Sequence, residues 1–149
     1  MKSYGRVTNH LRNAFLLTAT IIAGVFLVKL GWNRYQQNRA AKHVPEVKAI
    51  FNQIRQMPDA VGDGENDENS ISVNEYSAAL WRSYKSNFKC SEIRTHFDSE
   101  ASRQSFASSN EYESSGEPSI EYRNGEFEIR VLCESDGYAF SVNWYGLDR

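Results

Sequence analysis

The chain has 149 residues, 17 of them basic and 19 acidic, with two cysteines and three histidines. A mean hydropathy of −0.60 marks it as polar overall. The slight acidic excess argues against a basic nucleic-acid surface, and so few cysteines and histidines, spread along the chain, argue against a histidine- or cysteine-based metal site.

Residues 1–12 form a short basic tail carrying Lys2, Arg6 and Arg12. From Asn13 to Trp32 there follow twenty residues with one charge, Lys29. At ~1.5 Å per residue this stretch covers about the 30 Å of a bilayer's hydrocarbon core. Lys29 lies one turn from the distal end, where its stem stays in lipid while the ammonium reaches the headgroups, and Trp32 and Tyr35 are aromatic types favoured at that interface. The stretch runs into "VKLGWNRYQQNR" with no small-residue cleavage site, which argues against a removed signal peptide. All-round hydrophobicity argues against a core helix of a small soluble domain. Residues 13–32 are therefore read as a transmembrane helix. Within it Ala19 and Ala23, and Thr20 and Gly24, are small-xxx-small pairs that allow another helix to approach closely.

Basic residues flank both ends of the span and do not orient it. Every acidic residue lies at or after Glu46, where ten basic residues face nineteen acidic ones for a net charge of −9, and both cysteines lie in that acidic part. This favours an N-terminus in the cytoplasm and an exported remainder, in which Cys90 and Cys133 pair; in a cytosolic remainder they stay thiols. None of the twelve asparagines lies in an N-x-[ST] sequon, which suits a bacterial envelope. The expected location is an inner membrane, single-pass, with the C-terminal domain periplasmic.

Residues 33–57 read as a helical stalk. Val47, Ile50, Phe51, Ile54 and Met57 recur at helical spacing, and Pro45 either kinks the helix or opens a new one. That stripe needs an apolar cover and is the candidate partner-binding surface. Residues 58–71 form an acidic loop, in which Asp63, Glu65, Asp67 and Asn69 alternate as calcium ligands do. Glu68 stands where an EF-hand loop needs glycine, and Asn74 where it needs a bidentate carboxylate, so no metal is expected.

Residues 72–149 are expected to form one small domain. Ser72 and Glu75 fit a capping box, and Val73, Tyr76, Leu80, Tyr84 and Phe88 then mark a helix face. Ile93, Thr95 and Phe97 alternate with Glu92, Arg94 and His96 as in a short strand, with a continuing helix as the alternative. Ser99 to Ser119 holds eight serines in twenty-one residues and reads as a short surface helix followed by a loop.

Two turn signals, Asn124-Gly125 and Asp136-Gly137, separate alternating runs and predict a three-stranded meander. With both as two-residue turns, Tyr122 faces Phe127, Ile129 faces Trp144 and Cys133 faces Phe140. One face then carries Ile120, Tyr122, Phe127, Ile129, Val131, Cys133, Phe140, Val142 and Trp144, and is buried. The other carries Glu121, Glu128, Arg130, Glu134, Ser141 and Asn143, and is solvated. Upstream helices must cover the apolar face, which makes the fold class α+β: an anchor helix and stalk, then helices on a three- to four-stranded antiparallel sheet. A Cys90–Cys133 disulfide would tie the end of the helix near Phe88 to the middle strand.

Catalytic signatures such as G-x-S-x-G, a P-loop, H-E-x-x-H or C-x-x-C do not occur. No enzyme activity and no cofactor are expected. In its succession of basic N-terminus, apolar helix prolonged as a stalk, and antiparallel sheet with a C-terminal disulfide, the chain resembles type IV pilins and pseudopilins. That resemblance implies a filament or secretion-system subunit processed near Phe15, which an intact-mass measurement would reveal. The chain departs from it at Ala14, where the family has glycine, and at Ala19, where it has glutamate. The same layout resembles bitopic proteins of secretion and transport machines with a cystatin-like or NTF2-like domain. The expected role is a non-catalytic accessory or scaffold subunit of an envelope complex. Its partners would be the bilayer and other membrane or envelope proteins, with a second copy of the chain as a further candidate, and no nucleic acid. An extracytoplasmic ligand-binding domain is the remaining alternative.

Overall fold

The computed structural model describes residues 4–62, 71–74, 76–114 and 117–146. The calcium-like alternation at residues 63–69 and Glu75 of the capping box lie outside them. The chain forms two units, residues 1–35 and 36–149.

The first unit is the main part of helix α1, Tyr4–Lys42. An 18-residue stretch of it reaches a mean hydropathy of 1.9 with none of its residues buried. Leu17, Ile21, Ile22, Val25, Phe26, Leu27 and Val28 are all exposed around the helix. The Thr20 hydroxyl donates to the Leu16 carbonyl at 2.8 Å, so this one polar side chain is satisfied within its own helix. Length and apolarity are those of a membrane-crossing helix.

In the second unit, the end of α1 is followed by helix α2, Val44–Gln53, with Pro45 in its first turn, where a missing N–H breaks no bond. Then come strands β1 (Val61–Gly62), β2 (Ile71–Val73) and β3 (Ser77–Lys85), helix α3 (Cys90–Arg103), and strands β4 (Ala107–Ser114), β5 (Glu117–Asn124), β6 (Phe127–Glu134) and β7 (Gly137–Tyr145). All pairings are antiparallel, in the order β1-β3-β7-β6-β5-β4, with β2 also pairing β3. The fold is α+β with a C-terminal meander, and among the described residues the sheet has seven strands where three or four were expected.

Three elements differ from the sequence reading, the first two for one reason. Residues four apart share a face in a strand as well as in a helix, so Leu80 and Tyr84, or Ile93 and Phe97, fit both periods. Tertiary pairing decides. The stretch expected as a helix after Ser72 is β3, which pairs with β7 over its whole length, Ser77↔Tyr145 to Lys85↔Gly137, and alternates with Ala78, Leu80 and Tyr84 buried. Asn74 prepares it by accepting from the Tyr76 and Ser77 N–H groups at 2.8 Å each. The stretch expected as a strand at Ile93–Phe97 is helix α3, which buries Ile93, Phe97, Glu100 and Ala101. Glu92 accepts from the Lys89 N–H at 2.8 Å and fixes the helix start. The serine-rich segment, expected as helix then loop, finishes α3 and then forms β4, after a reversal at Ser105 with φ of 64°.

The meander keeps its faces, but both hairpins are offset by two residues from the expected register. Asn124 pairs Phe127 and Tyr122 pairs Ile129; Glu134 pairs Gly137 and Cys133 pairs Tyr138. In the first turn Gly125 alone has positive φ, 58°, the pattern of a type II′ turn with glycine at its first central position. Gly137 is not a turn residue. A Cβ there would lie 1.9 Å from the Tyr84 carbonyl oxygen, so glycine is what allows β7 to close on β3.

Both helices pack on the same face. Phe51 of α2 meets Phe140, while Phe97 of α3 stacks on Phe140 and meets Tyr138 edge-on. The Tyr138 hydroxyl accepts from the Met57 N–H and donates to the Gln56 side chain, and burial raises its pKa. Arg103 donates to the last carbonyl of α2, Gln53, and to Glu100, which in turn accepts from the Arg55 N–H. The disulfide joins Cys90, the first residue of α3, to Cys133 on β6, with Cα atoms 5.7 Å apart. It ties the start of a helix to the sheet, where the sequence reading had the end of one.

Candidate functional site

With α2 and α3 on one face of the sheet, the other face carries no helix among the described residues. Three cross-strand rows run over it. Trp81, Ser141, Arg130 and Glu121 form the central row; Ala79, Asn143, Glu128 and Arg123 flank it on one side, and Ser83, Ala139, Leu132 and Ser119 on the other. On β3 and β7 the rows are floored by small side chains, from which Trp81 stands up, 48 % exposed.

On β5 and β6 the same face holds an ion-pair network. Glu121 and Glu128 are only 4 % and 1 % exposed. Arg130 reaches Glu121 at 2.7 Å and Glu128 at 3.1 Å; Arg123 reaches Glu128 at 2.9 Å and Glu121 at 3.5 Å. The Tyr145 hydroxyl adds a longer contact to Glu128, 3.4 Å. This corrects the expectation that Glu121 and Glu128 are solvated; the face is uncovered, but these two carboxylates are buried in it. Neighbouring strands bring each carboxylate between two guanidiniums, which cover it while keeping their own outer edges in water. Alternation in one strand does not reveal such a network, because it forms across strands. The sequence signal was the Glu-x-Arg spacing of both Glu121–Arg123 and Glu128–Arg130.

The candidate partner-binding stripe lies elsewhere than expected. Val47, Phe51, Ile54 and Met57 are buried in the chain's own core, and Ile50 packs half-buried against it. Their apolar stripe is the cover that the sheet required, so it offers no free face to a partner. Ala19, Thr20, Ala23 and Gly24 are exposed on α1. Cys90 and Cys133 form the disulfide.

Sequence reasoning also missed the polar clamp around Trp144. His43 stacks on its ring at 4.1 Å between centroids, the Arg39 guanidinium lies over the ring at 5.6 Å, and the indole N–H donates to Glu126 at 2.9 Å. Trp144 lies over 100 positions from Arg39 and His43, and no local pattern links it to them.

An open depression of about 490 Å³ lies between the end of the α2 connection and α3, lined by Met57, Pro58, Phe88, Ser91, Glu92, Thr95 and His96. His96 is engaged with the Arg55 carbonyl at 2.7 Å. Asp59, beside it, accepts from the Asn87 N–H and the Ser86 hydroxyl, and the Asn87 bond holds its carboxyl below the usual range. These groups serve the joints between elements. Among the described residues there is no cluster of three or more His, Cys, Asp or Glu side chains suited to a metal ion. Comparison of the chain with protein-family models, with curated proteins and with solved structures finds no match, which leaves geometry and charge as the grounds for function.

Proposed function

We propose that the chain is a single-pass protein of a bacterial inner membrane, with its N-terminus cytoplasmic and its domain in the periplasm, acting without catalysis as an accessory or scaffold subunit that binds other proteins. The observation that carries this reading is the distribution of cover on the sheet. Both helices are spent on one face, and the other presents an exposed tryptophan on a floor of alanine and serine beside half-exposed arginines. Tryptophan and arginine are the side chains that dominate protein interfaces, and a small-residue floor lets a partner's backbone come close. The disulfide supports an oxidising compartment, and the apolar helix supports an anchor.

Topology is tested by labelling intact cells with a membrane-impermeant maleimide. Labelling of Cys90 only after external reductant is the expected result; labelling only after permeabilisation overturns the orientation. For the surface, a photo-crosslinking amino acid at position 81 should give a discrete adduct that is lost when Ala139→Glu is added, with the disulfide intact in both proteins. An unchanged adduct overturns the assignment of this face.

A further inference from the structure

We infer that the outer edge of β4 accepts a basic, extended segment of a partner protein as an added strand. This deepens the proposal that the chain acts through protein contacts, and names the chemistry of one of them. The two ends of the sheet are unlike. At one end the edge of β3 is covered by β1 and β2. At the other, β4 pairs with β5 and with no further strand among the described residues. An eight-residue strand with one side unpaired holds a row of N–H and C=O groups whose best partner is another extended backbone. The register shifts between Ser108 and Asn110, and from Asn110 to Ser114 the ladder with β5 is regular. That run is the docking length.

Charge selects the occupant. Strand β4 carries Glu111 and Glu113 and no basic residue. A second copy is disfavoured, since antiparallel self-pairing about Tyr112 sets Glu111 opposite Glu113, and like charges directly across a ladder repel. An acidic partner strand meets the same repulsion. A strand with lysine or arginine at alternate positions meets opposite charge at each of those sites.

The test uses the full chain in detergent micelles with its disulfide intact, and a capped peptide alternating lysine and valine as the probe. Binding is read by fluorescence anisotropy, and location by hydrogen exchange with mass spectrometry. The lysine peptide is expected to bind and to slow exchange within residues 107–114. Its glutamate counterpart, and a version N-methylated on alternate amides, should bind at least about tenfold more weakly, as should the lysine peptide on a Glu111→Lys/Glu113→Lys chain. Equal binding of the N-methylated peptide would show charge attraction without strand pairing and overturn the inference. So would absence of binding, or slowed exchange confined to residues 79–83 and 139–143; that last result would keep the sheet-face proposal alive while removing the edge. Reversed topology would remove the location proposed above without altering the peptide result.

Discussion

Reducing the Cys90–Cys133 bond should lower the melting temperature of the folded unit by about 17 °C. The bridge closes a loop with a sequence separation of 43. In the chain-entropy model such a loop restrains the unfolded chain by about 13 cal/mol/K, or about 4 kcal/mol at 25 °C. Unfolding entropy of about 2.1 cal/mol/K per residue gives roughly 0.24 kcal/mol/K for a unit the length of residues 36–149, and the ratio gives the shift. Reduction is preferred to substitution because Cys133 is buried, and replacing it adds a packing defect of its own. The assay is thermal unfolding of the full chain in detergent followed by circular dichroism, with and without a phosphine reductant, and with thiol count verified by mass. A fully reduced protein melting within about 5 °C of the oxidised one would refute the reasoning. It would mean that the bond constrains no part of the unfolded ensemble that the fold does not already hold.

Arg130→Ala removes two of the four guanidinium contacts that compensate Glu121 and Glu128; with Arg123 remaining, the loss should be about 2 kcal/mol in urea titration, rising toward roughly 3–5 kcal/mol when Arg123 is also replaced. A loss below about 0.5 kcal/mol for both together would show that the carboxylates are hydrated. Gly137→Ala forces a methyl group against the Tyr84 carbonyl and should destabilise by about 3 kcal/mol, read as a fall in urea midpoint; an unchanged midpoint would deny the close approach of β7 to β3. Glu100 is held below the ordinary 4.5, first by the Arg103 hydrogen bond and then by the Arg55 N–H, against the opposing effect of burial. The folded state thus binds this proton more weakly than the unfolded one. Its stabilisation is complete above about pH 4.5 and disappears as pH falls through the lower folded value. The acid limb of melting temperature against pH should therefore flatten in Glu100→Gln, and an identical limb would remove Glu100 as a cause.

The long apolar helix was legible in the sequence because its pattern is one-dimensional: about twenty apolar residues in a row, the length that a bilayer requires. The meander was legible for a similar reason, since each hairpin is local and its alternation identifies a face even where its register slips by two. Spacing by four was not decisive, and β3 and α3 were exchanged with each other's class on its account. Which of the two forms depends on whether a partner strand is present to pair, and for β3 that partner, β7, lies some sixty residues downstream.

The stripe from Val47 to Met57 makes the same point for function. Its pattern determined that the helix had one apolar side, but a stripe that meets a partner and one that meets the chain's own sheet are written identically. Only the tertiary structure decided that it is core. Likewise the sequence by itself determined the long apolar helix, the compositional break at Glu46 and the two-sided meander, all of which follow from neighbours along the chain. The buried Glu121–Glu128 network, the clamp on Trp144 and the edge of β4 that no strand covers among the described residues arise from residues brought together across strands, and burial, charge pairing and open valence exist only after that folding.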